Sequence, residues 1–137
     1  MKRIFTVILF CGCIGYLFVG CKNNDTRLNE KSLSEIKTED VSSFIVRLRP
    51  PDQEFSITDG QVTAELVDLL NDVTIYEEDN SFEDYSGQWV EFELTMTDGS
   101  SKIVVAYNPF IIIDGIGYKT EYEPCEKLNA FGNRLSD

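Results

Sequence analysis

The chain has 137 residues, with 24 acidic side chains against 12 basic ones, no histidine and a net charge of −12. The missing histidine excludes Ser-His-Asp and Cys-His nucleophile systems, HExxH centres and histidine-ligated zinc sites. The acidity repels nucleic-acid phosphates and anionic lipid headgroups, so no nucleic-acid partner is expected, and cations or basic proteins are the complementary partners.

The chain opens MKRIFTVILFCGCIGYLFVGCKNND. Lys2 and Arg3 precede an uncharged apolar run from Ile4 to Val19, and a polar stretch follows. This order describes an export signal, and the run is shorter than the ~20 apolar residues a spanning helix needs. Cys11 and Cys13 lie inside the apolar run without polar neighbours, which suits filler and not a metal site. The run ends in LFVGC, which resembles the lipobox of bacterial lipoprotein precursors. In that family a small residue precedes a cysteine that is diacylated and becomes the first residue after cleavage. Gly20 and Cys21 fit the last two positions, and Phe18 stands where the family prefers leucine. The resemblance implies a signal peptide over 1–20, lipidation of Cys21, and a lipid-anchored protein on the extracytoplasmic side of the cell membrane. An uncleaved anchor is the alternative; with Lys2 and Arg3 inside, it leaves the rest of the chain outside as well.

Residues 21–42 are polar and charged and read as a tether; Leu28, Leu33 and Ile36 give at most a weak helical turn. A flexible segment of this length reaches roughly 25 Å. With Cys21 acylated, Cys125 has no intramolecular partner, so the domain over 43–137 must rely on its core and not on a disulfide.

In SFIVRLR, Phe44, Val46 and Leu48 alternate with Ile45, Arg47 and Arg49, which predicts a half-buried strand ended by Pro50-Pro51. QEFSI returns as a second strand. Val62, Leu66, Leu69, Leu70 and Val73 recur at helical spacing, predicting a helix near 59–72, with Thr58 and Gln61 at capping-box spacing. Val73 to Glu77 suits a short strand, and EEDNSFEDYSG reads as an acidic, solvated loop.

WVEFELTMTDGSSKIVVAY predicts a hairpin turning at Asp98-Gly99. Pairing Thr97 with Lys102 puts Val90, Phe92, Leu94 and Met96 on one face with Ile103, Val105 and Tyr107. Trp89, Glu91, Glu93 and Thr95 then share a wet face. FIII-DG-IGYKTEY predicts a second hairpin with Ile113 opposite Ile116, leaving space at Gly117 opposite Ile112. A C-terminal helix follows, with Pro124 in its first turn and Cys125, Leu128, Phe131 and Leu135 on one stripe. Gly132 weakens it by ~1 kcal/mol unless close packing explains it. The expected class is α+β: an antiparallel meandering sheet with one covering helix and a C-terminal helix. The domain resembles the small lipoprotein domains of bacteria, of no named family.

Several chemistries have a plainer counterpart. Cys125 at a helix start suits a nucleophile, but it lies on the apolar stripe and lacks a base, so a packed core thiol is expected. Glu77, Glu78, Asp79, Glu83 and Asp84 supply oxygens of the kind Ca²⁺ takes, without the spacing of an EF-hand loop. Glu91 and Glu93 stand about 7 Å apart on one strand face, a separation that also serves glycosidases. Trp89 is an amphipathic anchor if its face stays open and a packed aromatic if the acidic loop covers it.

The reading that follows is a lipid-anchored protein with a non-catalytic binding or envelope-assembly role, with no cofactor and no metal. Its candidate interaction face is Trp89, Glu91, Glu93 and Thr95, and its expected partner is a basic protein or envelope component. A small carboxylate- or cation-dependent enzyme and an inhibitory or structural protein are the alternatives.

Overall fold

A computed structural model describes residues 33–137. The expected signal peptide, Cys21 and the first part of the expected tether lie outside the described residues.

Seven strands form one open antiparallel sheet: β1 (Val41–Arg49), β2 (Gln53–Ile57), β3 (Ile75–Glu78), β4 (Trp89–Met96), β5 (Ser101–Tyr107), β6 (Phe110–Ile113) and β7 (Ile116–Thr120). The α-helices α1 (Gly60–Asn71) and α2 (Tyr122–Arg134) accompany them. The spatial order is β2-β1-β4-β5-β6-β7-β3. The fold is therefore α+β, with β4 to β7 as a meander. β3 lies at the edge opposite β2, so the connection through α1 crosses the whole sheet.

The main core lies between one sheet face and the two helices. Phe44, Val46 and Leu48 of β1 join Val90, Phe92 and Leu94 of β4, beneath Leu66 and Leu70 of α1 and Leu128 and Phe131 of α2. Phe44, Phe92 and Phe131 meet with ring centroids 6.0–6.5 Å apart. Gly132 is explained by this packing: a Cβ there would collide with Val90 Cγ1. The helix thus accepts a poor helix former to bring its backbone onto the sheet.

Four local features depart from the sequence reading. The folded body reaches back beyond the expected boundary at Ser43, since Leu33, Ile36 and Val41 are buried in the core. The start of α1 is capped by Asp59, whose Oδ1 accepts from Gln61 N at 2.8 Å and Val62 N at 3.0 Å, and not by Thr58. The acidic stretch is not solvated throughout: Ser81–Asp84 forms a 3-10 turn that buries Phe82.

The fourth is the register of the β4–β5 hairpin. Leu94, and not Thr97, stands opposite Lys102, and Thr95 stands opposite Ser101. Gly99 has φ of +87°, and its N–H donates to Met96 O at 3.0 Å. Gly99 therefore closes a three-residue loop in the left-handed region. A shift by an odd number of residues moves every side chain of β5 to the opposite face. Val104 and Ala106 enter the main core, while Ile103, Val105 and Tyr107 turn to the face expected to be wet. The second hairpin follows the expected register, with Ile113 opposite Ile116 and Ile112 opposite Gly117. Asp114 and Gly115, with φ of 48° and 88°, make its two-residue turn.

Candidate functional site

The face of the sheet away from the helices has two halves. A single cross-strand row spans it: Glu54, Arg47 and Glu91 from β2, β1 and β4, then Val105, Ile112 and Gly117 from β5, β6 and β7. The row is ionic at one end and apolar at the other.

At the apolar end, Val105, Tyr107, Phe110 and Ile112 form a second small core under Phe82, with Trp89 and Ile103 at its margin. Phe82 sits where Gly117 has no side chain; a Cβ at Gly117 would come within 2.5 Å of Phe82 Cδ1 and of Asp79 O. The loop is pinned there by one main-chain and one side-chain hydrogen bond. Asp79 N donates to Gly117 O at 2.8 Å, and Gly117 N donates to Asn80 Oδ1 at 2.8 Å. The aromatic chain continues from Phe82 to Trp89 at 6.2 Å and from Trp89 to Tyr107 at 5.7 Å between centroids.

At the ionic end nothing among the described residues covers the sheet in the same way. Arg47 lies flat across three carboxylates: its Nε donates to Glu54 Oε2 at 2.7 Å, and its Nη1 reaches Glu91 Oε1 and Glu93 Oε2 at 2.6 Å each. These hydrogen bonds, that to Glu54 foremost, push the guanidinium pKa further above its already high value. Trp89 Nε1 donates to the remaining oxygen, Glu91 Oε2, at 3.3 Å, which ties the aromatic margin to the ion cluster. Three carboxylates on one cation leave the cluster negative.

Trp89, Glu91 and Glu93 thus share the predicted face with Thr95, which is exposed at the end of β4. They are half-buried: Trp89 leans on Phe82 and Tyr107, and both glutamates are held by Arg47. Arg47 and Phe82 are the members that sequence reasoning missed. Arg47 was visible as a polar alternation in β1, but its partners follow only from the strand register. Phe82 was a lone aromatic in an acidic run.

The other candidates are dispersed. Glu77 and Asp79 turn toward Lys119, at 3.1 and 3.9 Å, and Glu78 accepts from Asn80. The Glu77 carboxyl is held below its ordinary value by its own backbone N–H and by Lys119, and that of Asp79 by Ser81. Among the described residues, no group of three or more acidic or cysteine side chains gathers to hold a metal ion. Cys125 is buried at the base of α2 with Sγ donating to Phe110 O at 3.3 Å, and burial pushes its pKa up to about 12. A thiol so placed stays protonated and inert near neutral pH.

Among the described residues no helix is long and apolar enough to cross a membrane. Compared with known proteins, the chain matches no family model, no curated protein and no solved structure.

Proposed function

We propose that this chain is a lipid-anchored extracytoplasmic binding or envelope-assembly protein that presents the ionic half of its outer sheet face to a basic partner. The observation that carries this reading is the cluster in which Glu54, Glu91 and Glu93 surround Arg47 beside Trp89. A half-buried patch with an aromatic at its margin and excess negative charge suits a partner that brings lysine or arginine. Anchoring at Cys21 rests on the lipobox-like LFVGC alone.

A carboxylate-dependent enzyme receives less support from this geometry. Glu91 and Glu93 both act as acceptors for one guanidinium, whereas acid–base catalysis across a bond needs one carboxyl that donates.

Two measurements test the proposal. Metabolic labelling with a fatty-acid probe is expected to disappear in Cys21→Ser; unchanged labelling refutes the anchor. Partners recovered from envelope extracts by the wild-type chain are expected to be lost in a Glu91→Gln/Glu93→Gln variant and to elute with moderate salt. Equal recovery by the two proteins refutes the face.

A further inference from the structure

Three concavities on the described surface differ in chemistry. One of about 310 Å³ is lined by Arg47, Arg49, Asp52, Gln53 and Glu54. Another of about 260 Å³ has Asp72, Glu121, Glu123 and Lys127 in its wall. The third, about 220 Å³, lies between the end of the Phe82 loop, the end of β5 and α2. Tyr85, Gly87, Gln88, Tyr107, Asn108 and Asn129 line it, and no charged side chain does. In a chain of which 26% of residues are charged, an uncharged cleft of amides and phenols is a distinct chemical environment.

From this cleft we infer a binding site for a neutral saccharide unit. Carboxamides and phenols each donate and accept, as sugar hydroxyls do, so the two sets of groups can pair without leaving a charge unmatched. Aromatic rings offer apolar surface to the C–H side of a sugar ring while their hydroxyls stay available. The volume is below the ~300–1,000 Å³ typical of sites that enclose drug-sized ligands, so a single ring or the end of a chain fits.

The wall is preorganised. Gln88 and Asn133 exchange amide hydrogen bonds at 2.9 and 2.8 Å, and Gln88 Nε2 also donates to Pro50 O at 3.1 Å. Asn133 Nδ2 in turn donates to Asn129 Oδ1 at 2.9 Å. This relay fixes the orientation of Gln88 and Asn129. It leaves Asn129 Nδ2 and the hydroxyls of Tyr85 and Tyr107 without a hydrogen-bond partner among the described residues. Asn108 adds a further unmatched group: its Nδ2 donates to Glu126 Oε2 at 2.9 Å, while its Oδ1 is buried with no donor. Such an orphaned acceptor calls for an explanation, and a small turn of the carboxamide toward a ligand hydroxyl supplies one. Tyr85 is 55% exposed and rests edge-on against Phe110 at 5.2 Å, which holds an aromatic rim at the mouth.

The test is an NMR titration of the isotopically labelled full chain with glucose, galactose, N-acetylglucosamine, lactose and chitobiose. Glucuronate and glucosamine serve as charged counterparts. At least one neutral sugar is expected to give saturable shifts at the Gly87 amide and at the Gln88 and Asn129 carboxamides. Affinity is expected to fall at least ~10-fold, about 1.4 kcal/mol, in both Tyr85→Ala and the near-isosteric Asn129→Asp. Tighter binding of disaccharides than of single sugars marks a chain end as the ligand, and the reverse marks a free sugar; either supports the site. The inference is overturned if no neutral sugar shifts these resonances, if both variants bind as the wild type does, or if the charged sugars bind equally well.

Discussion

The two halves of the outer sheet face are built on the same cross-strand row and solve opposite problems. From Val105 to Gly117 the row is apolar, and a loop closes over it with Phe82. From Glu54 to Glu91 the row is charged, and its groups satisfy one another through Arg47. A sheet face can remain open only where its side chains are already paired; where they are apolar, something must cover them. The lid and the ion cluster are therefore alternative ways to finish one surface, and the substitutions that follow test whether they contribute as unequally as burial implies.

The largest effect is expected at the lid. Phe82 is the side chain that converts the apolar half from surface into core, so Phe82→Ala removes the cap and leaves a void over Gly117. A loss of about 3 kcal/mol is expected in urea unfolding, the low end for aromatic truncation because the ring lies at a margin. Trp89 emission should shift to the red as its neighbour at 6.2 Å disappears. A loss below ~1 kcal/mol would mean that the second core contributes little and that the acidic loop is loosely held. Gly117→Ala approaches the same contact from the sheet side. Its Cβ has no room beside Asp79 O and Phe82, so the loop must lift. The expected cost is about 2 kcal/mol, within the range for overpacking. The double variant should cost less than the sum, because either change alone displaces the same ring.

The inner face supplies a reference for burial through Cys125. Its folded pKa is raised from 9.0 to about 12, chiefly by desolvation. The unfolded thiol therefore loses its proton first as pH rises. Stability is fully present below about pH 9 and falls between about pH 9 and 12, by up to ~1.4 kcal/mol per pH unit. Urea unfolding from about pH 8 to about pH 10 should show this loss in the wild type, and the slope should flatten in Cys125→Ala. The wild type and Cys125→Ala carry the same other ionisable groups, so the difference between their slopes isolates the thiol. Parallel slopes would mean that the thiol is far less buried than α2 makes it.

The contrast between the two hairpins shows what was legible in the sequence. The β6–β7 hairpin was readable because Asp114-Gly115 dictates a two-residue turn, and that turn fixes every pair behind it. The β4–β5 hairpin was not, because both stripes of β5 are apolar: Val104 and Ala106 on one side, Ile103, Val105 and Tyr107 on the other. Alternation cannot choose between two apolar stripes, and only the position of Gly99 in a three-residue loop decides. The open half of the site was legible because β4 truly alternates, with Glu91 and Glu93 against Phe92 and Leu94. Its cation was not, since Arg47 is 44 residues from Glu91 and meets it only through strand pairing. The placement of β3 at the far edge also left no local signal, because it is set by where α1 delivers the chain.

The smallest effect on stability is expected at the ion cluster, and there the two halves separate most clearly. Arg47→Met leaves Glu54, Glu91 and Glu93 facing one another without their cation, and about 1–2 kcal/mol should be lost, less at high salt. Glu54 is 60% exposed, so part of that repulsion is already screened by water. Replacing the three less exposed members together, Arg47→Met/Glu91→Leu/Glu93→Leu, leaves only Glu54, which is 60% exposed and solvated, and should return stability to within ~1 kcal/mol of wild type. If the cluster exists to hold the sheet together, the triple variant should be as damaged as the single one. If it exists to meet a cationic partner, the triple variant should fold normally and bind nothing basic. Unfolding curves read beside the partner assay decide between the two. The expected result is a stable protein whose open face has become more apolar, and which self-associates more strongly than the wild type.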